Sequence, residues 1–260
     1  MMFHAAWKVA LAVALRVLVL VILIFISAIA TARAQALPTA TTTTPNIAIN
    51  TSFDADSLGN RSIYLDSTFA PFGSIYETGV RFRATGNANW YRFLTSEDPR
   101  ILANGRNLEG GLLAGYAFSW ERFRITGLVG PAFGKIVNQG VMTDRWGAKA
   151  VIDLYATPTD RTMASGSVSY STITNYFQVE AKTGLKIFDD IYFGPEARFT
   201  WQQILPWDTN FSTNISTMRL GAHVSGLNIG PAQIGISAGW AHDRQLGSGY
   251  YGGVNLYLPF

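Results

Sequence analysis

The chain ends on a strand that limits what the rest of it can become. From Tyr250 to Phe260 the residues alternate, and counting back from the end, Phe260, Leu258, Leu256, Val254 and Gly252 are all apolar or small. A period of two places them on one face of an extended segment. A closing strand that stops on a C-terminal aromatic is the assembly signal expected of an outer-membrane β-barrel.

The other end agrees with that address. Lys8 and Arg16 precede an apolar run from Val17 to Ile26, which gives way to small residues and Ala32-Arg33-Ala34. This predicts a secretory signal peptide over residues 1–34, cleaved at an A-x-A site. A flexible Thr/Pro-rich segment, 35–45, follows, and the barrel is expected over 46–260. Without the leader's Lys8, Arg16 and Arg33, 17 of the 20 basic residues remain against 17 acidic ones, so the formal charge of +3 disappears. A neutral mature chain offers nothing to nucleic acid. The absence of cysteine removes disulfides and thiolate metal sites, and no residues point to a metal or any other cofactor. Beyond the leader no run of eighteen apolar residues occurs, which excludes a helical membrane protein and leaves a soluble β-sandwich as the competing fold.

Strand length and the pattern of connections decide for the barrel. Alternation predicts strands near 46–53, 61–69, 74–92, 107–118, 121–135, 144–156, 161–171, 174–188, 191–203, 215–227, 231–242 and 249–260. Several exceed ten residues, as a tilted membrane strand requires. Long connections at 54–60, 94–106, 136–143, 204–214 and 243–248 interleave with short ones at 70–73, 119–120, 157–160, 189–190 and 228–230, with the brief 172–173 link as the exception. Outer-membrane barrels place short turns in the periplasm and longer loops outside. The expectation is an all-β, antiparallel transmembrane barrel of about 12 strands in the outer membrane of a Gram-negative bacterium, or 10 if the weak first strand is not one. Its partners would then be outer-membrane lipid and the β-barrel assembly machinery.

Alternation also sorts side chains between lipid and lumen. Phe177, Val179, Ala181, Leu185, Ile187, Ile191, Phe193, Pro195, Ala197, Phe199 and Trp201 are expected outside, with Gln178, Thr200 and Gln202 inside. The expected lumen charges are ten basic (Arg81, Arg83, Arg122, Arg124, Arg145, Lys149, Lys182, Lys186, Arg198, Arg219) and six acidic (Asp66, Glu77, Glu109, Asp153, Glu180, Glu196). This surplus is read either as an ion-paired interior or as an anion-preferring pore. Trp120, Trp146, Trp201 and Trp240 fall near strand ends, where interfacial girdles sit. The interior is thus expected to lack an aromatic track, with Trp90, Trp207 and Phe211 left in or near the external segments.

His223 and Ser225 form an H-x-S pair on one strand face, a spacing at which histidine can act as base for a serine hydroxyl. The pair resembles the motif of lipid A deacylases, smaller barrels whose pair faces lipid. Here the phase of Met218, Leu220, Ala222 and Val224 turns it inward, Asp243 is the only nearby acid, and lumen hydrogen bonding is the simpler role. His242 shares a face with Trp240 and is expected at the rim.

Gly194-Pro195-Glu196, Arg219-Leu220-Gly221-Ala222-His223, Ser237-Ala238-Gly239-Trp240-Ala241 and Gly249-Tyr250-Tyr251-Gly252 occur in an order that resembles the cellulose biosynthesis protein BcsS family. The likeness extends to Gly79, Arg81, Arg83, Tyr91 and the stretch from Gly110 to Tyr116. The resemblance implies an accessory outer-membrane component of bacterial cellulose production, not an enzyme, with cellulose or cellulose-export components as partners and segments 94–106 and 204–214 as its contact surface. A small anion-preferring porin is the alternative function.

Overall fold

The computed structural model describes residues 44–96, 101–138, 141–204 and 213–260. The expected signal peptide, nearly all of the segment 35–45, and Trp207 and Phe211 lie outside the described residues. The described residues form twelve strands: β1 Ile47–Asp56, β2 Arg61–Phe69, β3 Gly79–Ser96, β4 Ile101–Trp120, β5 Phe123–Asn138, β6 Val141–Thr159, β7 Thr162–Ser171, β8 Tyr176–Phe188, β9 Ile191–Ile204, β10 Thr213–Ile229, β11 Ala232–Asp243 and β12 Gly247–Pro259. Each pairs antiparallel with its neighbour, and β1 pairs β12 to close the barrel. Reciprocal bonds between the Ile47 and Phe260 backbones (3.2 and 2.8 Å) lock the seam. Closure leaves no free sheet edge.

The start of β1 and the end of β12 lie at one rim, called here the terminal rim. Four of its turns have two residues, 121–122, 160–161, 189–190 and 230–231. Positive φ at Glu121, Asp189 and Gly230 is the left-handed start that such hairpins need. The fifth, 70–78, has nine residues, contrary to the short connection and early strand start expected there: β3 begins at Gly79, and 74–78 is turn.

At the far rim the expected loops 94–106 and 136–143 are largely strand among the described residues, and 54–60 is strand in its first three. β1 runs on to Asp56, and β3 to β6 are 16 to 20 residues long. Polar stretches such as Asn104-Gly105-Arg106 obscure the alternation, yet a hairpin standing in water can be polar on both faces and remain paired. Residues 141–148 of β6 pass the end of β7, and 91–96 of β3 pass the start of β2. A four-stranded panel therefore stands above the far rim, reaching about 26 Å along β6 at ~3.3 Å per residue.

The facing rule holds around the wall. Leu112, Ile152, Leu185, Ile187 and Phe193 are exposed on the outer face, with Trp120 and Trp146 near its edges. Val254, exposed opposite the exposed Phe53, and Phe260 mark the outer face of the closing segment, and Leu256 and Leu258 share their alternation.

Candidate functional site: a closed, charge-paired lumen

Both rims are obstructed. At the terminal rim the 70–78 turn folds across the mouth and buries Ile75 against Ala48 of β1, with Tyr257 of β12 packed beside them. Pro45 O accepts bonds from Ile75 N (2.9 Å) and Ser74 Oγ (3.1 Å). Arg81 of β3 donates to the carbonyls of Ser74 (2.9 Å), Val80 (2.8 Å) and Glu77. Arg124 of β5 donates to Ile75 O (3.2 Å) and lies over the rings of Tyr76 and Tyr155. The turn is thus tied to β1, β3, β5 and β12, on different sides of the barrel. Arg81 and Arg124, expected as pore charges, hold this closure.

At the far rim β3 and β10 meet although β2, β1, β12 and β11 separate them around the wall. Tyr91 and Phe93 pack there against Ile215. Leu94 N donates to Gln245 Oε1 (2.9 Å) and Gln245 Nε2 to Asn214 O (3.3 Å). The 172–175 turn, the exception in the loop pattern, drops Ile173 against Gly134 and Gly147, where any Cβ would come within about 3 Å of it. Arg145 bonds Ile173 O (3.2 Å), which puts Arg145 at the mouth. A cavity of about 550 Å³ lies between the two closures.

Three ion-pair braces cross this space. In the first, Lys182 bridges Glu180 (3.0 Å) and Glu196 (3.4 Å), and Arg198 joins Glu180 (2.8 Å) to Asp54 (3.0 Å). Arg219 completes it on Asp54 (3.6 Å) and Asp56 (3.1 Å). In the second, Arg83 holds Asp153 (2.6 Å) and Asp66 (3.9 Å). In the third, Glu109 takes Lys149 (2.9 Å) and Ser171 Oγ (2.7 Å). Enclosed charges are tolerable when paired in this way. Arg122 and Lys186 pair instead with the turn residues Asp160 and Asp190 at the terminal rim, and Glu77 binds Ser74 N within the closing turn.

The braces remove the expected basic surplus. Five of the expected cations, Arg83, Lys149, Lys182, Arg198 and Arg219, pair with seven carboxylates, Asp54, Asp56, Asp66, Glu109, Asp153, Glu180 and Glu196, while Arg81 and Arg124 bond carbonyls of the closing turn. Asp54 and Asp56 were hidden in the segment read as a loop. Their two-residue spacing from Ser52, continuing the alternation, was the available signal.

The expected lack of an aromatic track needs one qualification, for tyrosines do face inward. Tyr64, Tyr91, Tyr155, Tyr176 and Tyr257 line the cavity. Tyrosine serves both faces of such a wall, because its ring packs and its hydroxyl finds a polar partner. The tryptophans behave as expected: Trp240 stacks on His242 at 5.5 Å, and His242 bonds Ser248 Oγ at the rim.

The resemblance motifs meet on one stretch of wall. Gly194, Pro195 and Glu196 of β9 stand opposite His223, Ala222 and Gly221 of β10. The Tyr251 ring lies over Gly221 and Gly239, where a Cβ would come within 2.3 and 2.8 Å of it, and its hydroxyl donates to Glu196 (2.6 Å). His223, only 2% exposed, reaches Thr183 O with Nε2 (3.1 Å), which assigns the proton to Nε2 and leaves Nδ1 to accept from Ser225 Oγ (2.7 Å). No carboxylate orients this imidazole. Asp243 is six residues along the strands, about 20 Å away, holding Thr217 Oγ1 (2.9 Å) and the amides of Gln245 and Leu246. Among the described residues no cluster of His, Asp and Glu is placed to bind a metal.

Three solved structures share the barrel form. LpxR from Salmonella typhimurium is 11% identical over 82% of this chain and 100% of its own, with a TM-score of 0.49. KdgM porin is 12% identical over 80% and 97% (TM-score 0.41). The β domain of the Bordetella autotransporter BrkA is 12% identical over 82% and 98% (TM-score 0.42). No curated protein matches the chain. The family described as cellulose biosynthesis protein BcsS matches residues 52–260, from within β1 to the last residue, and the chain belongs to that family.

Proposed function

We propose that the protein is a non-catalytic accessory component that anchors or organises exported cellulose at the bacterial outer membrane. Membership of the BcsS family assigns it to cellulose biosynthesis. The observation that carries the finer reading is a lumen closed at one mouth and narrowed at the other. Ile75 fills one mouth and Tyr91, Phe93 and Ile215 narrow the other, so the barrel is a poor conduit for a polymer. The glucan then leaves by another route, and this protein acts beside it.

The apolar outer face supports residence in a bilayer, and a barrel without edges meets the demand that every backbone group be bonded there. In that setting the terminal rim with its two-residue turns is periplasmic and the tall β3–β6 panel stands outside. The outer face of β12, ending in Phe260, is what the β-barrel assembly machinery would read. The panel is the contact surface for cellulose or its export components, in place of the loop expected at 94–106. An anion-preferring porin finds little support in seven paired carboxylates and a blocked bore, and the His223–Ser225 pair lacks an acid partner for hydrolysis.

The test is truncation of the panel, closing β3–β4 after the Phe93–Ala103 pair and β5–β6 after the Lys135–Asp144 pair with Gly/Ser turns. Insertion is expected to persist while cellulose retention at the cell surface falls. Normal retention with the shortened panel would contradict the reading.

A further inference from the structure

We propose that the cavity is a blind binding chamber for the end of a short neutral oligosaccharide. This rests on the accessory reading above and gives the anchoring role a ligand site.

The lining selects the ligand class by what it leaves free. Apart from Arg61 on the approach, its cations are bonded to its carboxylates or to the closing turn, so an ionic ligand in the chamber would have to break existing pairs. What remains is neutral: tyrosine rings, and the hydroxyls and amides of residues such as Ser52, Ser167, Ser169 and Asn255. Rings that pack against apolar sugar faces, among groups that bond hydroxyls, form a saccharide surface.

Size and access define the mode. A cavity of about 550 Å³ falls in the range of small-ligand sites and accommodates about three hexose rings. The approach from the far rim passes Asn60, Arg61, Asn89 and Trp90, which line the cavity, and the Ile75 turn closes the opposite end. A chain end could enter and be held, but not threaded through.

The experiment uses the full-length folded protein in detergent, titrated with cellotriose and, as an acidic counterpart of equal length, trigalacturonate, by calorimetry. Saturable binding of cellotriose and none of trigalacturonate is expected. Tyr176→Leu and Asn87→Leu, each checked for the heat-resistant folded form, are expected to weaken binding on the order of tenfold; both are used so that one folding failure leaves the other informative. Absence of cellotriose binding, preference for trigalacturonate, or unchanged affinity in a folded variant would overturn the proposal. The accessory reading is judged separately by cellulose retention on truncation of the panel: loss of retention without cellotriose binding rejects only the chamber.

Discussion

Arg81 should control access to the lumen from the terminal rim. Two of its three carbonyl bonds, to Ser74 and Glu77, tie the 70–78 turn to the wall. Hydrogen bonds from a charged donor contribute about 1.5–3 kcal/mol each, so Arg81→Ala should weaken the closed turn by about 3–6 kcal/mol. At ~1.4 kcal/mol per factor of ten, the open population rises about 10²- to 10⁴-fold. The chain has no cysteine, so a single thiol reports this opening. Ala48, 5% exposed and packed on Ile75, is the place for it. With Ala48→Cys alone, a water-soluble thiol reagent should react slowly. Adding Arg81→Ala should accelerate labelling by that factor, since cleavage or labelling of a buried site follows its local opening. Asn89→Cys, on the far-rim approach, should not respond. Equal Ala48→Cys rates with and without Arg81 would refute the claim that this arginine holds the closure.

Asp54→Ala removes the carboxylate that Arg198 and Arg219 share, leaving Arg198 on Glu180 and Arg219 on Asp56, and should cost about 1.5–3 kcal/mol, read as a lower temperature for loss of the compact, heat-modifiable band on gels. Gly194→Ala places a Cβ 1.9 Å from Thr183 O and should fail to reach that folded form, whereas Gly127→Ala, with nothing within 4 Å, should fold normally. Ser225→Ala removes one hydrogen bond to His223, about 1 kcal/mol, and should leave the mass of lipid A from expressing cells identical to that with the unsubstituted protein. A mass difference between them would revive a hydrolytic role.

Period-two alternation carried most of the fold, because lipid outside and a polar lumen inside impose opposite demands on successive residues. The strands from Thr162 to Ile204 lie within a few residues of their expected bounds for that reason. Alternation failed where neither constraint acts. Beyond the far rim, Leu94 to Ser96 and Ile101 to Arg106 stay paired as strand, but Asn104 to Arg106 break the alternation and the segment reads as loop. In the 70–78 turn, Ile75 and Tyr76 continue the look of a strand while folding into the mouth. The lumen charges were legible as inward residues, but their partners depend on which strands face one another across the barrel. Asp54, bonded to residues 144 and 165 positions later, illustrates that gap. The inward tyrosines escaped notice because tyrosine suits an interfacial girdle equally well.

The central claim is that this barrel assists cellulose at the cell surface without conducting it. Deleting the gene and measuring β-glucan separately in medium, surface and periplasmic fractions tests it most directly. The account predicts normal total glucan, none trapped in the periplasm, and reduced or disordered material at the surface. Periplasmic accumulation would make the barrel part of the export route, and an unchanged distribution would contradict the accessory role itself.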